Sequence, residues 1–444
     1  MKKYLAIILC FVCSAALAQE SISVCTISPD KPKAGDKIVI TYNSSPMKAT
    51  FKNVPSIKAQ LLIGRDGDSP LLVELPMTKD GYSWTSTTTL AEKKANILFV
   101  QFKAGDKTDD NSGDAWSAMV YGTDGKVMQG AHVSLASALL NGNYYGFAKT
   151  KDAEAGKQEA LKEKELFPGN FEPYKILWNL ATKAGNNASV KAELRKELDE
   201  VMPRFRSEKS GVYTFVLWYK YVGDTVTANK LHDDELMVNP KGAYAESEGL
   251  RAMMDESDPD KRIAMLEKYN KDFPDSKPMY IEPIKAGIAR GYISKKEYDK
   301  AADYLDKNIF PAPNTCNSLS KAYLGLDGQV DKAIYWAKKA ISFTDNLDMA
   351  KKPSYESDDD YRDNNNGTRS AMLDTYYKCL VKKGDYPTAE KSMEDAYALT
   401  KGEDVDINTD YVDALVKAEK YDKAGQVASD CIKKGNSADD LIAA

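Results

Sequence analysis

The chain has 444 residues, 43% of them hydrophobic and 29% charged, with a net charge of −5. That length suggests about two or three domains and is ample for a large core. Lys and Arg are mixed among Asp and Glu with no basic stripe, which argues against a nucleic-acid partner.

Residues 1–18 carry two Lys, an apolar run from Leu5 to Val12, and Ala16-Leu17-Ala18 before Gln19. This is the pattern of a secretory signal peptide cleaved after Ala18, and it predicts an exported, periplasmic protein. A membrane anchor needs about 20 apolar residues, more than this run supplies, and no later run approaches that length. The expectation is a protein that is not an integral membrane protein. Of six Cys, Cys25, Cys316, Cys379 and Cys431 lie past the signal, far apart and never in Cys-x-x-Cys spacing. An exported protein can form disulfides, but the sequence does not pair these. Cys379 and Cys431 fall at helical packing positions and read as small buried hydrophobes.

Residues 19–135 alternate short β-branched runs with turn signals. The runs are Lys37–Tyr42, Ala59–Ile63, Leu71–Leu75, Tyr82–Thr89, Asn96–Phe102 and Ala115–Tyr121. Turns such as Gly64-Arg-Asp-Gly67 and Asp80-Gly81 separate them. Strands at this spacing suggest an all-β, immunoglobulin-like sandwich without the Cys–Trp–Cys core of antibody domains. The loop Asp109–Trp116 lacks a calcium frame, because Thr108 and Met119 stand where the first and last ligands belong. It reads as a loop held by Asx hydrogen bonds. Trp84 and Trp116 are core aromatics or, as a sharper alternative, a stacking platform for sugars.

From about Leu135 the β punctuation stops. Lys151–Phe167, Tyr174–Ala184, Val190–Phe205, Val212–Val222, Val226–Leu236 and Tyr244–Tyr269 read as helices, and 136–275 as degenerate helical repeats. Aromatic-Pro stops recur at Phe167-Pro168, Phe273-Pro274 and Phe310-Pro311.

Within 276–444 one pattern returns four times. A Tyr or Val stands three residues before an Ala: Tyr298 and Ala301, Val330 and Ala333, Tyr386 and Ala389, Tyr421 and Ala424. Roughly nine residues before each Ala is an apolar anchor: Tyr292, Leu324, Leu380 and Leu415. The Ala-to-Ala steps are about 32, 56 and 35 residues, near the ~34-residue period of the tetratricopeptide repeat with one insertion. Each unit is expected to be two antiparallel helices meeting closely at the Ala, with aromatics filling the flanks and units stacking into a superhelix. Gly384 should end a first helix, and Pro313 stands at the motif's terminal Pro. On these residues the region resembles the tetratricopeptide repeat family.

The excess of about 22 residues in the long step is the segment 344–368, with Asp358-Asp-Asp-Tyr-Arg-Asp-Asn-Asn-Asn-Gly367. It reads as a solvated acidic loop. Inserted loops of solenoids often lie on the binding face, so Asp358, Asp359, Asp360 and Tyr361 are candidate partner contacts.

A second resemblance follows from Pro32-Lys-Ala-Gly35-Asp36, Pro76-Met77, Gly81 with Trp84, Asp109-Asp110-Asn111 with Gly113, and Asp124-Gly125 through Gly130-Ala131. These are similar to the amino-terminal sandwich of exported thioredoxin-like oxidoreductases of Gram-negative bacteria. The resemblance implies helical repeats followed by a thioredoxin module with a Cys-x-x-Cys. None occurs past the signal, so that redox chemistry falls on no residue of this sequence.

Only His132 and His232 exist, and there is no Gly-rich phosphate loop or Gly-x-Ser-x-Gly elbow. No catalytic residue, metal or cofactor is assigned. The expected function is a non-enzymatic scaffold that binds a protein or peptide partner in the solenoid groove. A redox-system accessory and a sugar-binding sandwich are the alternatives.

Overall fold

The structure is a computed structural model that describes residues 23–185, 187–208 and 210–435. The signal peptide expected at 1–18 lies outside the described residues. The chain divides into two compact units, Met1–Leu177 and Trp178–Ala444.

Among the described residues, nine strands come first in this unit. They are β1 Cys25–Ser28, β2 Lys37–Asn43, β3 Lys58–Arg65, β4 Asp68–Pro76, β5 Thr78–Asp80, β6 Ser83–Thr89, β7 Ala95–Ala104, β8 Lys107–Asp109 and β9 Trp116–Met119. One antiparallel sheet has the order β1-β2-β6-β5. The other has the order β4-β3-β7-β8, with β9 also on β7. Alternation sets which side of β2 is inside: Ile38, Ile40 and Tyr42 are buried, while Lys37, Val39, Thr41 and Asn43 face outward. Those side chains share one core with Trp84 of the same sheet and with Leu61, Ile63, Leu98, Val100 and Phe102 of the other. The two sheets therefore pack face to face.

Strand β7 is buried on both faces, and the reason lies beyond the strands. The chain continues into α1 Ala131–Asn141, the hairpin β10 Asn143–Tyr144 and β11 Phe147–Ala148, and α2 Ala153–Leu166. Helix α1 and β11 pack on β7, and Tyr144 sets its ring 5.1 Å from that of Phe99. The sequence reading ends the β region at 135, whereas the compact unit keeps α1, the hairpin and α2. A chain of buried amides and a carboxylate crosses this sheet. Gln101 Nε2 donates to Gln60 Oε1 at 2.8 Å, and Gln60 Nε2 donates to Glu74. Gly64 allows the close approach of β3 to β7, since a Cβ there would sit 2.6 Å from Asn96 and Ile97 side chains.

The remaining helices are α3 Glu172–Ala184, α4 Ala188–Phe205, α5 Gly211–Val222, α6 Thr225–Val238, α7 Ala243–Asp255 and α8 Pro259–Asp272. After them come α9 Pro278–Ser294, α10 Tyr298–Lys307, α11 Pro313–Leu324, α12 Val330–Ser342, α13 Asp358–Lys383, α14 Tyr386–Leu399, α15 Val405–Lys417 and α16 Tyr421–Lys433. Many begin at a polar cap: the side chains of Asn187, Asp224, Asp258, Asp385 and Asp404 each accept a backbone N–H of the turn they start. Gly384, at φ +82°, ends α13 as its spacing predicts.

Three expectations are corrected here. Tyr244–Tyr269 is two helices, because Asp258 caps a new one and Pro259 takes its first position. Pro313 opens α11 and does not close the preceding repeat. The acidic segment from Asp358 is helix, not loop. Ser357 accepts from Asp360 N, and Asp358, Asp359 and Asp360 occupy the first turn, where carboxylates face the positive end of the helix dipole. The insertion is thus an irregular stretch after α12, with a short 3-10 turn at Met349–Lys351, followed by an elongated first helix.

Candidate protein-interaction face

Four helix pairs build the later part of the second unit: α9 with α10, α11 with α12, α13 with α14, and α15 with α16. The first helices also touch in series, α7 to α9, α9 to α11, α11 to α13 and α13 to α15. Each second helix packs in turn against the next first helix, α10 on α11, α12 on α13 and α14 on α15. This gives a row of first helices along one side.

At the heart of each pair is the small residue that sequence spacing singles out. Ala301, Ala333, Ala389 and Ala424 are all at most 4% exposed, within cores built from α7–α13 and α13–α16. A methyl is what the interhelical distance admits, and the packing density of such an interior leaves no slack for more. Tyr292, Leu380 and Leu415 are buried beside them, and Leu324 is only partly buried. Its neighbour Tyr323 takes the inside position. The turn from Gly325 to Gln329 separates α11 from α12, and it shifts the anchor back by one residue relative to the other pairs. Ile334 and Ile341 pack against both cores, so the interior runs on from one pair to the next.

The residues three places ahead of each Ala fill the flanks only in part, against the expected pattern. Tyr298, Val330, Tyr386 and Tyr421 are the first residues of their helices, and Tyr386 and Tyr421 are 41% and 65% exposed. Tyr298 by contrast packs against the core, its ring 5.9 Å from that of Tyr323.

The buried tyrosines are instead tied by their hydroxyls. Tyr292 Oη donates to Asp260 of α8, Tyr323 Oη to Asp299 of α10 at 2.7 Å, and Tyr377 Oη to Asp413 of α15. Each bond crosses from one pair to a neighbouring one. Burial, then the adjoining carboxylate, pushes the Tyr292 and Tyr323 hydroxyls up, so both stay protonated donors. Lysines repeat the same crossing on the surface. Lys295 meets Asp258 at 2.7 Å, Lys332 meets Asp299 at 2.9 Å, Lys383 meets Asp331 at 2.7 Å and Lys420 meets Glu390 at 2.7 Å. No sequence pattern distinguished these carboxylates from others on solvated helices. Each one partners a buried Tyr or a Lys only once adjacent pairs are stacked.

Where the turns meet, a cavity of about 470 Å³ opens between Tyr298, Tyr323, Leu326, Gln329, Lys296 and Lys332. The candidate contacts Asp358 and Asp359 are exposed and Asp360 and Tyr361 half-buried on the first turn of α13. Lys352 lies 3.7 Å from Asp358, and Tyr361 Oη donates to Asp348 O at 3.4 Å. They stand apart from the packing residues, which lie deeper along α13.

Cys25, Cys316, Cys379 and Cys431 are free and buried. Burial pushes the Cys25 and Cys379 thiols up and brings Cys316 to about 11, which disfavours the thiolate that disulfide exchange requires. Trp84 is 3% exposed and inside the two-sheet core. Trp116 is half-buried, with its ring edge-on to Phe102 at 5.4 Å. Trp84 therefore offers no face for a sugar. The loop after β8 is held as expected: Asn111 N donates to Asp109 Oδ1 and Gly113 N to Asp110 Oδ1. Asp109 itself is buried, accepting from Tyr42 Oη at 2.8 Å and Thr50 N at 3.0 Å. Among the described residues no helix is long and apolar enough to cross a membrane.

No family model matches the chain, and no curated protein matches it. Among solved structures the chain is similar to a protein described as a Podospora anserina kinesin light chain with nearly identical TPR-like repeats. The identity is 14% over 45% of this chain and 99% of that one, with a TM-score of 0.28. It is also similar to the APC/C hetero-tetramer Cut9-Hcn1, at 12% identity over 68% of this chain and 52% of that one, with a TM-score of 0.28. Likenesses this loose carry nothing further, and the repeat architecture of this chain rests on its own helix packing.

Proposed function

We propose that the second unit is a scaffold that holds a polypeptide partner against the row formed by α7, α9, α11, α13 and α15. The observation that carries this is the serial contact of those first helices, each touching the next. Such a row is a continuous, preformed surface, on which an extended peptide or a helix can lie at little ordering cost to the protein. The exposed acidic turn at Asp358 and Asp359 is proposed as a flanking contact. The first unit is proposed as an immunoglobulin-like sandwich, a reading supported by its two facing antiparallel sheets. Export to the periplasm is proposed from the pattern of residues 1–18.

An array of 12-residue peptides probed with the full chain tests the binding reading. Lys321 on α11 and Ala371 on α13 are exposed on first helices, and Lys300 is exposed on the second helix α10. Saturable binding that Lys321→Glu and Ala371→Glu weaken at least tenfold, with Lys300→Glu unaffected, is the expected result. No retained peptide, or equal loss in all three variants, contradicts it. For export, N-terminal sequencing of the protein expressed with residues 1–18 should begin at Gln19; a chain still starting at Met1 contradicts that part.

A further inference from the structure

Between the first helices α13 and α15, three charged side chains form one cluster. Lys378 Nζ lies 2.9 Å from Asp374 Oδ2 on its own helix and 3.0 Å from Asp410 Oδ2 on α15. The Asp374 side chain is 15% exposed and that of Asp410 24%. Asp374 Oδ1 is buried without a hydrogen-bond partner of its own. One ammonium thus serves two carboxylates in a partly dehydrated contact, and the ionised cluster carries an unbalanced negative charge. A single proton on one carboxyl makes the cluster neutral and lets that carboxyl donate to the other.

We propose that Asp374, Asp410 and Lys378 form a proton-controlled latch between α13 and α15, closed when one proton is held by the carboxyl pair and loosened when both carboxylates ionise. The surroundings fit that role. From α15, Asp413 faces the cluster too, but it is engaged by Tyr377 and Lys417. From α11 the uncharged Ser320 meets the thiol of Cys379, the residue after Lys378. The charges of the other two neighbours, Lys338 of α12 and Lys391 and Asp395 of α14, line a separate cavity beside Tyr376. Burial first, then Asp410, raises the Asp374 carboxyl to about 6 against the pull of Lys378. An acid raised in the closed state binds its proton more tightly there than in the open state. Raising the pH from about 4 through 6 therefore favours opening, and the effect levels off above that.

Hydrogen exchange of the full chain, corrected for the intrinsic pH dependence of amide exchange, tests the latch. Between pH 5 and 7.5 the protection of α15 and of the facing turns of α13 should fall roughly tenfold, while that of α9 and α10 stays level. Asp374→Asn and Asp410→Asn each replace the protonated carboxyl with a neutral amide. Either variant should keep the pH 5 protection of the unmodified protein at pH 7.5 and lose the pH dependence. Level protection in the unmodified protein overturns the latch. So does a fall that persists in both variants, or variants less protected at pH 5 than the parent.

Discussion

In the first unit, β3 is paired with β4 on one side and β7 on the other, and Leu61 meets Val100 across about forty residues of sequence. In the second, Ala333 or Ala389 belongs to a pair whose partners are the adjoining helices. The two units thus bury apolar surface by different logic. The sheets form one core held by long-range pairings such as β2 with β6 and β3 with β7, and the helices form a series of nearest-neighbour contacts. A defect in the first should be felt throughout that unit, whereas a defect in the second should stay near its own repeat.

Substitutions sharpen that contrast. Phe102→Ala removes a fully buried ring that packs on Tyr42 and Trp116. It should cost about 3–5 kcal/mol in denaturant unfolding of the first unit. Ala389→Leu forces extra volume into the contact of α13 with α14 and should cost about 1–3 kcal/mol, seen as early unfolding of the last pairs. Tyr323→Phe removes the hydroxyl that reaches Asp299. It should cost about 1 kcal/mol in the same measurement, with Asp299 still held by Lys332. Ser357→Ala removes the cap of α13 and should cost about 1 kcal/mol or less, detected as faster exchange in the turn Asp358–Tyr361. Lys383→Ala breaks a pair with Asp331 that is largely in water. Its effect should be the smallest of the set, at the detection limit of the unfolding measurement, and vanish in high salt.

Much of the scaffold was legible because its signals are local. Alternation in Lys37–Tyr42 fixed the inside of β2, and Gly384 and the Ala spacing fixed the ends and contact points of the last pairs. What sequence did not disclose depends on neighbours in space. The doubly buried β7 requires α1 and the β10–β11 hairpin as a cover, which no turn signal announces. The acidic stretch at Asp358 looks solvated by composition, yet a serine cap and the helix dipole make it a helix start. The first-turn tyrosines Tyr386 and Tyr421 match the repeat pattern in spacing but not in direction. The Tyr–Asp and Lys–Asp crossings, and the Asp374–Asp410 contact, join residues brought together only by stacking.

The nearest test of the account is a side-by-side hydrogen-exchange comparison of Phe102→Ala and Ala389→Leu in the full chain. Phe102→Ala should lower protection across β2, β3, β6 and β7 together, and Ala389→Leu only from α12 to α16, leaving α5 to α8 at their original rates. Loss of protection spreading from Ala389→Leu into α5 to α8 would contradict the nearest-neighbour stacking from which the binding face is built.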